Sequence, residues 1–141
     1  MSPEPEPIEL VPLGRMTIGL RDPMLLPGTP GGTFVIAELA SAHFEGERLK
    51  ADAKGSANAD WLTIGADGTA AIDVRVLLEA DDGALIYLQY AGRLNLADQT
   101  VIAAPLFQTG DERYAWLNGV QAVAKGKTDG TTLVYDFHEV R

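Results

Sequence analysis

The chain has no cysteine, so it can hold neither a disulfide framework nor a thiolate nucleophile nor a zinc–thiolate centre. Serine is nearly as scarce, at Ser2, Ser41 and Ser56 alone. With no Gly-x-Ser-x-Gly elbow either, a serine hydrolase is not expected. The histidines, His43 and His138, stand far apart with no HxH or HExxH spacing; both read as surface or packing residues, and no metal site is expected. Cations are few, 11 Lys and Arg against 20 Asp and Glu, for a net charge of −9. That field repels phosphate backbones and anionic lipid, so neither nucleic acid nor membrane is an expected partner. No apolar run approaches the roughly 18 residues of a membrane helix. The segment Gly28-Thr29-Pro30-Gly31-Gly32 lacks the Lys-Ser/Thr ending and the following helix of a phosphate loop.

What is present suits one globular domain: 141 residues, 46% hydrophobic and 22% charged, enough to bury a proper core. The start, Met1-Ser2-Pro3-Glu4-Pro5-Glu6-Pro7, is acidic and Pro-spaced, the reverse of a basic-then-apolar secretory signal. Residues 1–7 are therefore expected as an extended arm, 8–141 as the domain, and the cytoplasm as the location.

Helical periodicity is hard to find. Short β-branched and apolar runs recur instead, each closed by a turn signal. Strands are expected at Ile8 to Leu20, Thr33 to Ala40, Leu49 to Ala53, Trp61 to Ile64, Ala70 to Glu79, Ala84 to Ala91, Thr100 to Phe107, Gly119 to Lys125 and Thr131 to Val140. Asp22 to Gly32 reads as a long loop and Tyr114 to Asn118 as one helical turn. The fold class is all-β: a single antiparallel barrel of about eight or nine strands, closed to manage its edges, with a flat sandwich as the alternative.

One hairpin can be read in register. A loop at Asp81-Asp82-Gly83, with Gly83 left-handed, pairs Ala80 with Ala84, Arg75 with Gln89 and Leu77 with Tyr87. Ile72, Val74, Val76, Leu78, Ile86, Leu88 and Tyr90 then share one face, and Asp73, Arg75, Glu79, Tyr87 and Gln89 the other. The polar face either meets water or lines a lumen. In the lumen, Asp73 and Glu79 would compensate Arg75, and Tyr87 would offer a ring and a hydroxyl to a ligand.

The richest local cluster runs Phe107-Gln108-Thr109-Gly110-Asp111-Glu112-Arg113-Tyr114-Ala115-Trp116-Leu117-Asn118. Its aromatics either plug one end of the barrel or belong to a loop-borne site. Together with Asp60-Trp61, Asp67-Gly68, Asp73-x-Arg75-x-x-Leu78, Asp82-Gly83-Ala84-x-Ile86-Tyr87 and the closing Val134-Tyr135-x-Phe137-x-Glu139-Val140, it resembles the bacterial and fungal family called domain of unknown function three-two-three-seven. The resemblance spans nearly the whole chain. It implies a lipocalin-like β-barrel and no agreed reaction. Many relatives carry a longer insertion after Tyr90-Ala91-Gly92; if that insertion is a lid, the cavity mouth here is more open.

The resemblance favours the lumen reading of the polar face. It puts Arg75, Tyr87, Tyr114, Trp116 and Asn118 around a ligand site, with Asp60, Asp73 and Glu79 as the nearest carboxylates. The expected function is cofactor-independent isomerase, lyase or cyclase chemistry on a small cyclic, aromatic or polyketide-like metabolite. Glu79 or Asp60 would act as base, and Arg75 with Tyr87 and Asn118 would hold the developing charge. Asp73, Gln89, Phe107, Arg113, Tyr114, Trp116 and Asn118 would contact the ligand. A non-catalytic binding barrel and a structural module are the alternatives, and a homodimer is left open.

Overall fold

The computed structural model describes residues 2–141; Met1, the first residue of the expected arm, lies outside the described residues. Ser2 to Glu9 is exposed and outside any strand, and Glu9 exchanges backbone hydrogen bonds with Arg141. The remainder forms one 11-stranded antiparallel sheet. Its strands are β1 (Leu10–Leu20), β2 (Met24–Thr29), β3 (Gly32–Glu45), β4 (Lys50–Ala53), β5 (Ala59–Ile64), β6 (Ala70–Ala80), β7 (Leu85–Asn95), β8 (Thr100–Ala103), β9 (Leu106–Gln108), β10 (Ala122–Thr128) and β11 (Thr132–Val140).

Eight of these close the barrel, in the order β3-β1-β11-β10-β8-β7-β6-β5 and back to β3. Two of the extra strands continue a neighbour's position along the barrel. β4 takes over from β5 between β3 and β6, and β9 extends the β8 position along β7. Closure removes the free edges that a sandwich would leave.

The β6–β7 hairpin has the register read from its alternation, with Arg75 opposite Gln89 and Leu77 opposite Tyr87. Ala80 and Ala84 bracket the turn, and Gly83 takes φ 91°, a conformation that costs glycine little. The aliphatic face of this hairpin points inward: Val74, Val76, Leu78, Ile86 and Leu88 are all buried. Asp73, Arg75 and Gln89 are exposed, so the expected polar lumen is corrected to an apolar one. The reason is energetic. Eight strands' worth of aliphatic side chains gain more by leaving water than a partly paired charge cluster could.

Two further expectations change. The stretch read as a loop at Asp22 to Gly32 contains β2, whose Met24, Leu25 and Leu26 pair with Ile36, Val35 and Phe34 of β3. The prolines argued against a strand, but β2 bonds to one neighbour only, and an edge strand tolerates residues without an N–H. Met24, Leu25, Leu26 and Phe34 of this hairpin, with Trp61 beside them on β5, remain exposed. Thr100 to Phe107 is broken into β8 and β9 by Ala104-Pro105.

The core is graded along the barrel axis. Toward the end where β6 turns into β7, Phe44 packs edge-on to Phe107 and to Phe137, the latter at 5.3 Å between centroids, and Phe107 lies tilted against Phe137. Tyr135 stands edge-on to Phe137 at 6.0 Å and to Tyr90 at 5.4 Å. Beyond these two tyrosines, toward the turns that join β7 to β8 and β10 to β11, side-chain packing gives way to a cavity.

Candidate functional site

The cluster from Phe107 to Asn118 closes one end of the barrel. Asp111 accepts from the Arg113 backbone N–H at 2.9 Å, capping a short 3-10 helix at Glu112–Gly119. This is longer than the single expected turn. Leu117 is fully buried in the barrel end, and Tyr114 and Trp116 pack against the core. The rest of the motif holds that plug in place. Asn118 accepts from the Thr109 backbone N–H at 2.8 Å and donates to the Thr109 carbonyl at 3.0 Å. The Tyr114 hydroxyl donates to Asp82 at 2.7 Å, and Arg113 pairs with Asp111 at 2.8 Å and reaches Asp82. Arg48 lies 4.1 Å from the Trp116 ring centroid and also pairs with Glu139. The Arg113 guanidinium holds the Asp111 carboxyl down at about 2, as expected for a carboxylate that accepts several charge-assisted bonds.

The expected site residues therefore fall into three places. Arg113, Tyr114, Trp116 and Asn118 belong to the plug, and Phe107 lies in the aromatic core beneath it. Asp73, Arg75, Glu79, Tyr87 and Gln89 lie on the barrel's outer face. There Tyr87 donates to Gln89 at 2.9 Å, and Glu79 pairs with Lys54 at 2.7 Å. The one remaining residue, Asp60, lines the cavity at the opposite end.

That cavity has a volume of about 150 Å³. Its wall is aliphatic, from Ile18, Leu39, Leu62, Ile72, Val74 and Leu133 among others. Asp60, Tyr90 and Tyr135 supply the polar groups of its inner part, while Gln99 and Thr128 lie at the mouth. The mouth groups are already engaged, Gln99 donating to the Leu96 carbonyl and Thr128 to the Thr132 carbonyl. The short turn after Asn95 thus forms part of the rim, where a longer insertion would overhang the opening.

Strand alternation aims Asp60 inward, on the face of buried Leu62 and opposite buried Val74, while Trp61 between them points out. The β5–β6 ladder pairs Asp60 with Val74 and resumes at Thr63 and Ala71. In between, the Asp73 backbone N–H goes to the Asp60 carboxylate at 3.1 Å. Among the described residues this is the one hydrogen bond that steadies a carboxylate set in an apolar wall. Burial outweighs it and pushes the Asp60 carboxyl up to about 6, since low dielectric disfavours the charged form.

The phenols are shifted in the same sense. Burial raises Tyr90 well above its usual value, with Tyr135 and the Asp60 charge adding to it, and raises Tyr135 as well. Both stay protonated donors at any working pH. The Tyr90 hydroxyl is wholly buried next to Tyr135 but makes no well-formed hydrogen bond among the described residues, an arrangement that costs free energy wherever it persists. Tyr135 owes its position to Gly126, directly across from it on β10. A Cβ at Gly126 would come within 2.5 Å of the Tyr135 ring.

Sequence reasoning passed over Tyr90 and Tyr135. The available signal was a hydroxyl at an inward step of two apolar alternations, Ile86-Leu88-Tyr90 and Leu133-Tyr135-Phe137. A polar tip on a core-facing stripe must find a partner or a use. Asn58 was missed too; it is buried and braces the turn before β5 onto β6 through the Leu77 N–H.

A closed barrel with one end plugged and a small acid-bearing chamber at the other defines an all-β protein built around its lumen. The chain belongs to the family described as protein of unknown function (DUF3237), whose model matches residues 8–140. No curated protein shows a significant match. Among solved structures it is similar to a β-barrel-like protein from Acinetobacter baumannii AYE, with 30% identity, 98% of this chain and 99% of that one covered, and a TM-score of 0.87. It is also similar to a conserved protein of unknown function from Rhodopseudomonas palustris, at 20% identity, 97% and 100% coverage and a TM-score of 0.88. A third similar structure is an enzyme from Penicillium herquei, at 22% identity, full coverage of both chains and a TM-score of 0.79. At such identities the last two attest the fold alone.

Proposed function

We propose that the lumen binds a small cyclic, aromatic or polyketide-like metabolite and acts on it without a cofactor, by acid–base chemistry of the isomerase, lyase or cyclase type. Asp60 is the base. The observation that carries this reading is a carboxyl held near 6 in an apolar chamber, next to two phenols that remain protonated. Pairs of titratable groups driven apart by their surroundings mark acid–base sites.

The chemistry follows from the groups present. Asp60, ionised above about pH 6, takes a proton from a carbon beside a carbonyl. The C–H electron pair becomes a C=C bond, and the carbonyl electrons move onto oxygen. Tyr90, with Tyr135 at its edge, donates to that oxygen as charge develops, which a dry site rewards more than water does. Asp60 then returns the proton to the same carbon or to a conjugated one. Glu79 is not carried forward as base, since it pairs with Lys54 outside the barrel. The plug residues serve the site by excluding water from below.

Deuterium uptake next to the carbonyl of a small cyclic ketone in D₂O, followed by NMR, tests the reading. Uptake should accelerate as pH rises through about 6, level off above it, and vanish in Asp60→Asn. Binding without uptake would instead make this a non-catalytic ligand barrel. The exposed apolar hairpin of β2 and β3 supports association into a homodimer, and sedimentation equilibrium tests it.

A further inference from the structure

Resting on the acid–base reading of the same chamber, we propose that its ligand is a neutral, single-ring ketone whose oxygen accepts a hydrogen bond from Tyr90, and that carboxylates and phosphates are excluded. Three independent features lead to this class. The first is Tyr90, a residue of the cavity wall whose hydroxyl, buried beside Tyr135, makes no well-formed hydrogen bond among the described residues. A donor left in that state is completed by a ligand acceptor, and a ketone oxygen supplies one without bringing charge.

The second is charge. No lysine or arginine lines the chamber. Seven of the chain's cations, Arg15, Arg48, Lys50, Lys54, Arg113, Arg141 and, when protonated, His43, are paired with carboxylates on the outside. The chamber's single ionisable acid is Asp60. A carboxylate ligand would meet a like charge in low dielectric with nothing to neutralise it, and the chain's net −9 opposes its approach. This departs from the anionic ligand that an inward Arg75 would have favoured.

The third is size. A chamber of about 150 Å³ matches the volume at which an apolar protein cavity takes up one benzene ring. Fused rings of drug-like size need about twice that or more. With Asp60 and Tyr90 in the same wall, a single ring puts its carbonyl at the phenol and its neighbouring C–H within the reach of the carboxylate.

The test compares three six-membered probes at pH 8 by saturation-transfer NMR on the full chain: cyclohex-2-en-1-one, cyclohexene and cyclohexanecarboxylate. The enone should bind at least about tenfold more tightly than the carboxylate, the worth of one unmatched hydrogen bond or more. Tyr90→Phe should weaken the enone about tenfold and leave cyclohexene unchanged. The substitution keeps the ring, and circular dichroism verifies that the barrel persists.

Equal binding of enone and carboxylate overturns the inference. So does equal weakening of enone and cyclohexene by Tyr90→Phe, or no enone binding up to about 10 mM, a free energy too weak for a built site. The acid–base reading fails separately. Selective enone binding without Asp60-dependent deuterium uptake sinks the chemistry and keeps the ligand class, whereas uptake without selectivity does the opposite.

Discussion

The two ends of the barrel treat their polar side chains in opposite ways. At the plugged end Asp111, Arg113, Tyr114 and Asn118 each have a protein partner within 3.0 Å, and a buried leucine sits beneath them. At the open end, among the described residues, Asp60 keeps a single backbone donor and Tyr90 makes no well-formed hydrogen bond, beside a chamber with room for a ring. Satisfied polar groups over a filled core hold a structure together. Unsatisfied ones beside a void are what a binding or reacting site retains at the expense of stability. On the acid–base reading proposed above, the difference marks the open end as the site more clearly than the richness of either sequence motif does.

The largest effect expected from this contrast is at the plug. Leu117 is fully buried, so Leu117→Ala should cost about 2–5 kcal/mol in urea denaturation. Enone binding should be unchanged where the variant stays folded. A loss under about 1 kcal/mol would mean that the 3-10 segment decorates the barrel without sealing it.

Next comes a gain. Asp60 has its folded value raised from 3.8 to about 6, so the stabilising protonated form is fully present below 3.8 and is lost as pH rises through 6. The span corresponds to about 3 kcal/mol. Asp60→Asn keeps an acceptor for the Asp73 N–H and removes the buried charge. It should match wild type below pH 4 and exceed it by up to about 3 kcal/mol at pH 8, while losing deuterium uptake. Thermal melts across that range measure both arms. A destabilised variant at pH 8 would mean that the carboxylate is a structural brace, and the contrast between the ends would fail.

Smaller again is Asn118→Ala, which removes both hydrogen bonds to Thr109 at an exposed position. It should cost about 1–2 kcal/mol and raise hydrogen exchange at residues 109–118 without changing ligand affinity. The smallest effect belongs to Arg75→Ala. Arg75 is exposed on the outer face, so its loss should stay within about 0.5 kcal/mol and leave binding of neutral and anionic probes alike. A cost of several kcal/mol would mean that the polar face is buried after all.

Much of the fold was legible in the sequence. The alternation through Ile72 to Leu78 and Ile86 to Tyr90, closed by Asp82-Gly83, specified strand, turn and register, because a one-residue slip would have mixed the faces. The residues left open which face of this hairpin points inward, and the family resemblance favoured the polar one, opposite to the structure. Both faces of the hairpin carry coherent sets, and the decision needed the other six strands to show which set meets a common core. β2 was illegible for a different reason. Prolines and glycines that forbid a central strand are compatible with an edge, and edge position is a property of the sheet.

The site divides along the same line. Asp60 stood out as one candidate acid among 20, but nothing local distinguished it from Glu79. Its burial comes from an aliphatic wall assembled by strands distant in sequence. The motif from Thr109 to Asn118 drew attention through density of aromatics and charge, which sealing an end requires as much as binding a ligand does.

By itself, the sequence determined the class, the hairpin register and the exclusions: no thiol chemistry, no field for nucleic acid, strands in place of helices. These depend on composition and on contacts between near neighbours, where side-chain period and turn chemistry act directly. Only the tertiary structure decided which face is the lumen, which end is open, and that Asp60, Tyr90 and Tyr135 share one apolar-walled chamber. Closure of the barrel joins residues many positions apart, and desolvation, which raises the pKa of all three groups, exists only once the wall around them is complete.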